Sequence, residues 1–589
     1  MAIRPNDACP CGSGRKYRHC CVGKAGRSAQ PQGNVAQVLQ QALAHHQAGR
    51  MQQAEVLYRQ VLAAEPLNPD ALHLLGVLAY QAGQLAAAVD LIARAVAVNP
   101  AFAQAHYNLG IALKDQGRLE EAASAYRRAI AVQPDYADAH DNLGNVLADL
   151  GRPGEAVPCY RQAIALRPGN PVTLNNIGIA LKQTGQLQEA ATLYRQAVAL
   201  KPDYVEAHNN LGNALKELGQ LDEAAQCFQR VLAMRPELAD AHSNLGNVLL
   251  AQGHADEAAE AYGRAIALNP DYAEARNNLA LIQLLNGDFE QGWKGYEWRW
   301  KLKVAVAPRR DFGQPEWCGG QLAGERVLVH AEQGFGDAIQ FCRYIPLVAQ
   351  RGAKVILEVQ PELKRLMAGL AGVHELATMG EALPAFDCHI PLLSLPRVLG
   401  TRLDTVPADI PYLQAPPDLV EAWREKLSGI TGLRVGLAWA GSPQHMNDRN
   451  RSLALATLAP LAAVGCATYI VLQKGPAAAQ AATPPAGMKL VEPGAELGDF
   501  ADTAAVIANL DLVIAVDTAV AHLAGALGKP VWLLLPFSGE WRWLEERSDS
   551  PWYPGMRLFR QPRPGAWGEV MEGVVRELGA MRAGQDRQG

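Results

Sequence analysis

Two textures of hydrophobic patterning divide the chain. From about residue 35 to 306, apolar residues recur three and four positions apart in stretches a dozen or so long, each broken by a glycine or a proline. That period predicts amphipathic helices, and the breaks come in a fixed rhythm. Gly76, Gly110, Gly144, Gly178, Gly212 and Gly246 stand 34 residues apart, as do the inner glycines from Gly83 to Gly287 and the prolines from Pro100 to Pro270. A unit such as AQAHYNLGIALKDQGRLEEAASAYRRAIAVQPDY therefore predicts two helices, with the inner glycine allowing the turn and the proline ending the second. About eight such units fit between residues 35 and 306.

From residue 322 onward the helical period gives way to short apolar runs: RVLVH near 326, KVILEV near 354, RVGLAWA near 434, TYIVLQ near 468, LDLVIAV near 510 and PVWLLLP near 530. Runs of this length between helix-sized segments predict buried parallel strands. The fold class is thus multidomain: a helical repeat array, then two Rossmann-like α/β halves at 320–415 and 416–580, divided near Pro416 and Pro417. Between the two textures, the aromatic cluster from Trp293 to Trp300 is expected to pack the last repeat against the next domain, using Trp293, Tyr296 and Trp298.

Composition narrows the function classes. With 49% apolar residues, 19% charged residues and 54 basic against 59 acidic side chains, the net charge is −5, which argues against nucleic-acid binding through a basic surface. No apolar run has the length of a transmembrane segment and the first residues carry no secretory stretch, so a cytoplasmic protein is expected. Four of the ten cysteines fall in CPCGSGRKYRHCC, where Cys9, Cys11, Cys20 and Cys21 can surround one tetrahedral ion. Zinc suits four thiolates, and the metal would supply folding free energy to a segment of about thirty residues; His19 is the alternative ligand to one cysteine. The pattern resembles the SEC-C zinc motif, with Cys21 where histidine is usual. The resemblance implies a metal-stabilised knob (residues 1–30) that offers Arg15, Lys16 and Arg18 to a protein partner.

The 34-residue unit resembles the tetratricopeptide repeat, which implies a superhelix whose groove binds extended peptide. Asn108, Asn142, Asn176, Asn210, Asn244 and Asn278 occupy one column of successive units, while Leu74 takes that place earlier. An amide donates and accepts, so the column can bind a peptide backbone without reading its sequence, or it can bond neighbouring helices. It is similar to the asparagine ladder in the repeats of eukaryotic protein O-linked N-acetylglucosamine transferases.

Three predicted strand ends carry chemistry. In HAEQGFGDAIQFC, glycines including Gly336 lead into a helix near Asp337, a carboxylate placed either as an N-cap or as a general base, with Glu332 the next carboxylate along. In WAGSPQHMNDRNRSL, Arg449 and Arg451 precede a helix expected near Ser452 and can bind diphosphate, among Gly441, Ser442, His445, Asn447 and Asp448. In IAVDTAVAHLAG, a strand ends at Asp517 and a small-residue helix carries His522, its first amides at Thr518 and Ala519 facing an anion. Together with LSLP, QKG and DFADTAAVIANLDLVI, these segments resemble the heptosyltransferase-like glycosyltransferases of family 9 over roughly residues 320–580.

The resemblance implies a GT-B architecture, an inverting mechanism with Asp337 as base, and donor binding by Asp517, Thr518, Ala519 and His522. Ala519 replaces the family's glycine. Arg451, with Arg449, takes the place of its phosphate-contacting lysine, and Gln473 and Lys474 are candidates to contact the nucleotide. No D-x-D pair sits at a predicted strand end, so no catalytic metal is expected. The expected activity is transfer of a sugar from a nucleotide-sugar donor to an acceptor, a protein held in the repeat groove. The alternative is a non-catalytic scaffold with a degenerate transferase domain. The segment from Trp541 to Gly555 has two readings, lining the acceptor side of a cleft or packing beneath the last helix, and the second is the expected one.

Overall fold

Glycine sets how closely the two helices of a repeat approach. A computed structural model describes residues 35–302, 309–332, 334–444, 447–465 and 467–585; the N-terminal cysteine cluster and His445 lie outside the described residues. The chain divides into two compact units at Met234 and Arg235.

In the first unit, twelve helices from α1 (Val35–Gln47) to α12 (Leu221–Met234) form six antiparallel pairs. A Cβ on Gly178 would lie 2.5 Å from the ring of Tyr194, and Gly110, Gly144 and Gly212 seat Tyr126, Tyr160 and Phe228 in the same way. The small residue on the first helix is therefore the socket for a buried aromatic on the second, sixteen positions on. Inner glycines adopt the left-handed conformation that closes the tight turn, Gly117 at φ 76° for example. A contact that the periodicity did not reveal ties successive pairs: His106, His140 and His208 each donate from Nε2 to the carbonyl of Pro100, Pro134 and Pro202, all at 3.0 Å.

The second unit begins with two more pairs: α13 (Ala239–Ala251) with α14 (Ala255–Leu268), and α15 (Ala273–Leu285) with α16 (Phe289–Tyr296). A 3₁₀ turn over Glu297–Lys301 comes next. Beyond it lies a four-stranded sheet of order β3-β2-β1-β4, made of β1 (Arg326–His330), β2 (Lys354–Val359), β3 (Val373–Thr378) and β4 (Cys388–Pro391), all parallel. A six-stranded sheet of order β10-β9-β8-β5-β6-β7 completes the chain, again all parallel. Its strands are β5 (Leu433–Ala438), β6 (Ala467–Val471), β7 (Leu490–Val491), β8 (Leu512–Val516), β9 (Val531–Leu535) and β10 (Met556–Arg560). The intervening helices are α17 (Phe335–Phe341), α18 (Ile345–Gln350), α19 (Lys364–Met367), α20 (Leu395–Val398), α21 (Pro417–Lys426), α22 (Asp448–Arg451), α23 (Phe500–Ala508), α24 (Ala519–Ala526) and α25 (Trp567–Gln585).

Alternate residues of β8 serve different cores: Val513 and Ala515 face the main one, Leu512, Ile514 and Val516 the one beneath α25. Both faces are covered, so the strand reads as an unbroken apolar run. The terminal repeat belongs to the main core: Leu284, Leu285, Phe289, Trp293 and Tyr296 are buried with residues of both sheets. Trp293 meets Phe341 at 6.1 Å and Trp541 at 5.3 Å between ring centroids, fulfilling the expected packing role. Trp298 lies apart from this core, its ring under the cations of Arg276 and Lys301.

Candidate active site

Helices α17 and α24 start at the carboxyl ends of β1 and β8, one from each sheet, and pack against each other. The contact is close because Gly336 has no side chain: a Cβ there would lie 3.0 Å from His522 Cδ2 and 3.6 Å from Ala519 Cα. Two of the three predicted strand ends are thereby brought face to face.

Asp337 occupies the third position of α17 and accepts the Gly334 amide at Oδ2, 3.1 Å away, so it does cap the helix. Its Oδ1 pairs with Arg542, and 17% of the side chain stays exposed. His522 is buried, holds Tyr553 Oη at 3.0 Å through Nδ1 and stacks on Trp543 at 5.3 Å. Burial, reinforced by Arg542, Arg343 and Arg451, keeps its imidazole well below the ordinary histidine range, hence neutral. Asp517 Oδ1 stands 3.8 Å from His522 Nε2. Thr518 is the N-cap residue of α24, and its Oγ1 is buried with no hydrogen-bond partner among the described residues. The start of α24 thus offers amides and a hydroxyl to an anion.

The third strand end corrects an expectation. The helix expected near Ser452 begins three residues later, as a 3₁₀ stretch over Leu455–Ala463; the four-residue α22 ends at Arg451, and Ser452 is extended. The serine hydroxyl donates to Asp448 Oδ1 at 2.7 Å and accepts the Gly441 amide at 2.9 Å, closing the loop on itself instead of capping a following helix. Arg451 therefore sits at the end of a short turn. It lies against Gly441, where a Cβ would meet the guanidinium at 2.5 Å, and donates to the Asp517 carbonyl at 2.9 Å. Arg449, two residues earlier, is exposed.

Other predicted residues are engaged within the protein. Gln473 Oε1 accepts the amides of Trp439 and Ala440 at 2.9 and 2.8 Å, and Nε2 donates to the carbonyls of Ala440 and Lys474 at 3.0 and 2.8 Å. Three of its four bonds join the ends of β5 and β6, and the fourth stays within the end of β6. Lys474 is exposed and donates to the Leu497 carbonyl. Glu332, the reserve carboxylate, is closed off by a bidentate pair with Arg299 and by the Leu393 amide.

The asparagine column bonds repeat to repeat: Nδ2 of Asn108 reaches His73 at 2.8 Å, that of Asn142 the Tyr107 hydroxyl at 2.9 Å, that of Asn176 Asn145 at 3.0 Å and that of Asn210 Asn175 at 2.9 Å. Asn278 does the same with Asn247 at 2.9 Å, and Asn244 also has a partner. All six are half-buried, and Oδ1 of Asn108 also accepts from Gln104 Nε2 at 3.3 Å.

Sequence reasoning missed Arg542, Glu540, Trp543 and Tyr553, because the segment from Trp541 to Gly555 is dense in aromatics and reads as packing. It does pack, on the terminal repeat and His522 instead of beneath α25, and it brings Arg542 to Asp337. An arginine between two tryptophans was the available signal. Among the described residues, no group of three or more His, Cys, Asp or Glu is arranged to hold a metal, and no helix is long and apolar enough to cross a membrane.

Comparison with known proteins matches separate parts of the chain to separate families. Residues 6–21 match the SEC-C motif, residues 212–253 and 246–287 the TPR repeat, and residues 477–534 glycosyltransferase family 9 (heptosyltransferase). Residues 17–229 match the cilia and flagella-associated protein 70 C-terminal domain. Protein FlbA of Caulobacter vibrioides is 27% identical over 312 residues, 49% of this chain and 52% of FlbA, so the match spans about half of that relative's length. The protein translocase subunit SecA of Lachnoclostridium phytofermentans is 71% identical over 21 residues, 4% of this chain and 2% of SecA. Among solved structures, YrrB, a TPR protein, is 27% identical, covering 31% of this chain and 95% of its own, with a TM-score of 0.30. MamA is 21% identical, covering 29% and 94%, with a TM-score of 0.28.

Proposed function

We propose that the protein is an inverting glycosyltransferase of GT-B architecture that moves a sugar from a nucleotide-sugar donor to a protein acceptor held by its repeats. The observation that carries this reading is the close approach, at Gly336, of the start of α17, which carries Asp337, to the start of α24, each helix following the carboxyl end of a parallel strand in a different sheet. Asp337 takes the proton of an acceptor hydroxyl as that oxygen attacks the anomeric carbon from the face opposite the diphosphate. Leaving-group charge falls on the Thr518 and Ala519 amides, the free Thr518 hydroxyl and Arg451, fixed dipoles in a shielded cleft. Neutral His522 does not compete with them for the phosphates by charge, and serves as a packed floor and donor. Gln473, saturated by β5 and β6, holds the nucleotide-facing loops in place and leaves direct contact to Lys474.

The asparagine column is the proposed peptide contact, through the amide proton and oxygen not used between repeats, raising acceptor concentration at the cleft. Cys9, Cys11, Cys20 and Cys21 are proposed to hold one structural zinc, consistent with the SEC-C match, as a knob for a further protein partner. A scaffold without turnover is the second reading; the Ala519 methyl group at the first residue of α24, where a donor phosphate must approach, is what favours it.

Thermal denaturation across a panel of nucleotide sugars tests the reading, since a ligand bound only by the native state raises the melting temperature. One donor is expected to raise it in the wild type and not in Arg451→Ala. No shift with any donor transfers the conclusion to the scaffold reading.

A further inference from the structure

Arg542 is the cation that pairs with Asp337, and a second carboxylate already shares it. Its side chain is 13% exposed; Nη2 pairs with Asp337, Nη1 with Glu540, and Nε donates to Gln340 Oε1 at 2.7 Å, while the guanidinium rests on the Trp541 ring at 4.2 Å. Burial alone would lower its pKa, but Glu540 and Asp337 outweigh that and raise it, so it is charged throughout. Glu540 is clasped at both ends by the same residue, since its Oε2 also accepts the Arg542 amide at 2.9 Å. Besides Arg542, it faces Asp517 and Arg560. One guanidinium therefore serves two carboxylates in different places: Asp337, set at the start of α17, and Glu540, two residues before the arginine itself.

Arg451 already spends Nη1 on the Asp517 carbonyl. A diphosphate arriving at the start of α24 needs a second cation, and Arg542 stands between the two helix starts: it pairs with Asp337 on one side, and on the other it is close enough to His522 and Asp517 to act on them electrostatically.

We propose that Arg542 joins the two ends of the reaction, one nitrogen holding Asp337 in position while the other leaves Glu540 and takes a phosphate oxygen of the donor. The inference rests on the transferase reading above. The exchange balances by a single proton: Glu540 takes one up as the phosphate arrives, becomes neutral and releases the guanidinium. Its carboxyl is suited to this, because burial first and Asp517 second raise it to about 7 against the pull of Arg542. Uptake is therefore larger at pH 8, where Glu540 starts ionised, than at pH 6.

Calorimetric titration of the full chain with ADP, GDP, UDP and CDP, in buffers of different ionisation enthalpy, tests this. The nucleotide that binds wild type is expected to bind Arg542→Gln at least 30-fold more weakly, and Arg542→Lys at an intermediate level. Glu540→Gln, which removes the competitor, is expected to bind several-fold more tightly and to lose the proton uptake at pH 8; this variant keeps the proposal testable should Arg542→Gln fold poorly. Binding by Arg542→Gln within twofold of wild type overturns the proposal, as does unchanged uptake in Glu540→Gln. If none of the four nucleotides binds wild type, the donor reading itself falls, and the phosphate role of Arg542 with it, an outcome distinct from the first two.

Discussion

Arg299 grips both carboxylate oxygens of Glu332, Nε to Oε2 and Nη2 to Oε1, each at 3.0 Å, with side chains only 6% and 3% exposed. Arg299 ends the repeat array and Glu332 opens the loop that leads to Asp337, so the terminal repeat fixes one wall of the cleft. Trp293 and Phe289 fix the other by packing on Trp541 and Trp552. Removing one partner of a buried pair strands the other: Arg299→Met is expected to cost about 3–5 kcal/mol, and Arg299→Met with Glu332→Met to recover most of it. Urea denaturation of the three proteins decides; a double variant no better than the single shows that the loss is one of packing alone.

The same relationship sets where the chain can be cut. A fragment from residue 320 lacks Phe289, Trp293, Tyr296 and Arg299 and exposes the core they cover, whereas a fragment from residue 235 keeps the whole second compact unit. The shorter fragment is expected to be insoluble or to lose a cooperative transition, and the longer one to melt cooperatively by circular dichroism. Equal behaviour of the two would show that the terminal repeat is dispensable to the α/β core.

Glycines that repeat for a packing reason separate from those that do not. Gly178→Ala would drive a methyl to 2.5 Å from Tyr194, a buried ring with no slack, and is expected to destabilise by about 1–3 kcal/mol. Gly263→Ala, mid-helix in α14 with nothing within 4 Å, is expected to stabilise by up to about 1 kcal/mol. Thermal melts of the two substitutions in the full chain should therefore move in opposite directions.

The repeats were legible because each role recurs: one socket, one turn and one stop every 34 residues make packing visible as a period. The six strands with unbroken apolar runs were legible for the same reason, both faces being buried. The strands β3, β4, β7 and β10 were not. VHELAT carries three polar residues in six, CHIP ends on a proline, β7 has two residues, and MRLFR is broken by two arginines because the edge strand β10 has exposed and half-exposed positions. The site was half legible. Asp337, Asp517 and His522 lie at strand ends, where a local reading looks, while Arg542 reaches Asp337 across 205 residues, and only the fold brings them together. Ser452 shows the converse: a helix start was expected near it and comes at Leu455 as a 3₁₀ helix, three residues on, because the Ser452 hydroxyl had better partners in its own loop.

Histidines buried without charge partners predict acid lability. His330 has neither ring nitrogen bonded among the described residues, lies 5.2 Å from Phe312 and 5.6 Å from His389, and is lowered to about 3 by burial first, then Arg310, His389 and Arg299. Unfolding lets it protonate near 6.5, so its share of stability is present above that pH and is lost as pH falls toward 3, at up to about 1.4 kcal/mol per pH unit. The urea midpoint is expected to fall between pH 7 and 4. His330→Phe should flatten that fall; an unchanged slope would assign it to other groups, among them His73, lowered by burial to about 4.

Asp337→Asn isolates the base from the cap. The amide oxygen can still accept the Gly334 amide now held at 3.1 Å, so α17 should keep its start, but the group can no longer take a proton. Turnover is expected to fall about 10²–10⁴-fold, as for loss of a general base, with donor binding retained. Gly336→Ala separates geometry from chemistry in the same helix: its methyl would press on His522 Cδ2 at 3.0 Å and part α17 from α24, so both turnover and donor affinity should drop although every polar group remains. Single-turnover kinetics beside donor titration distinguishes the two patterns. Full turnover in Asp337→Asn would remove the base from this carboxylate, and since Glu332 is already bound on both oxygens by Arg299, the proton would then have to leave by way of Glu540 or Asp517.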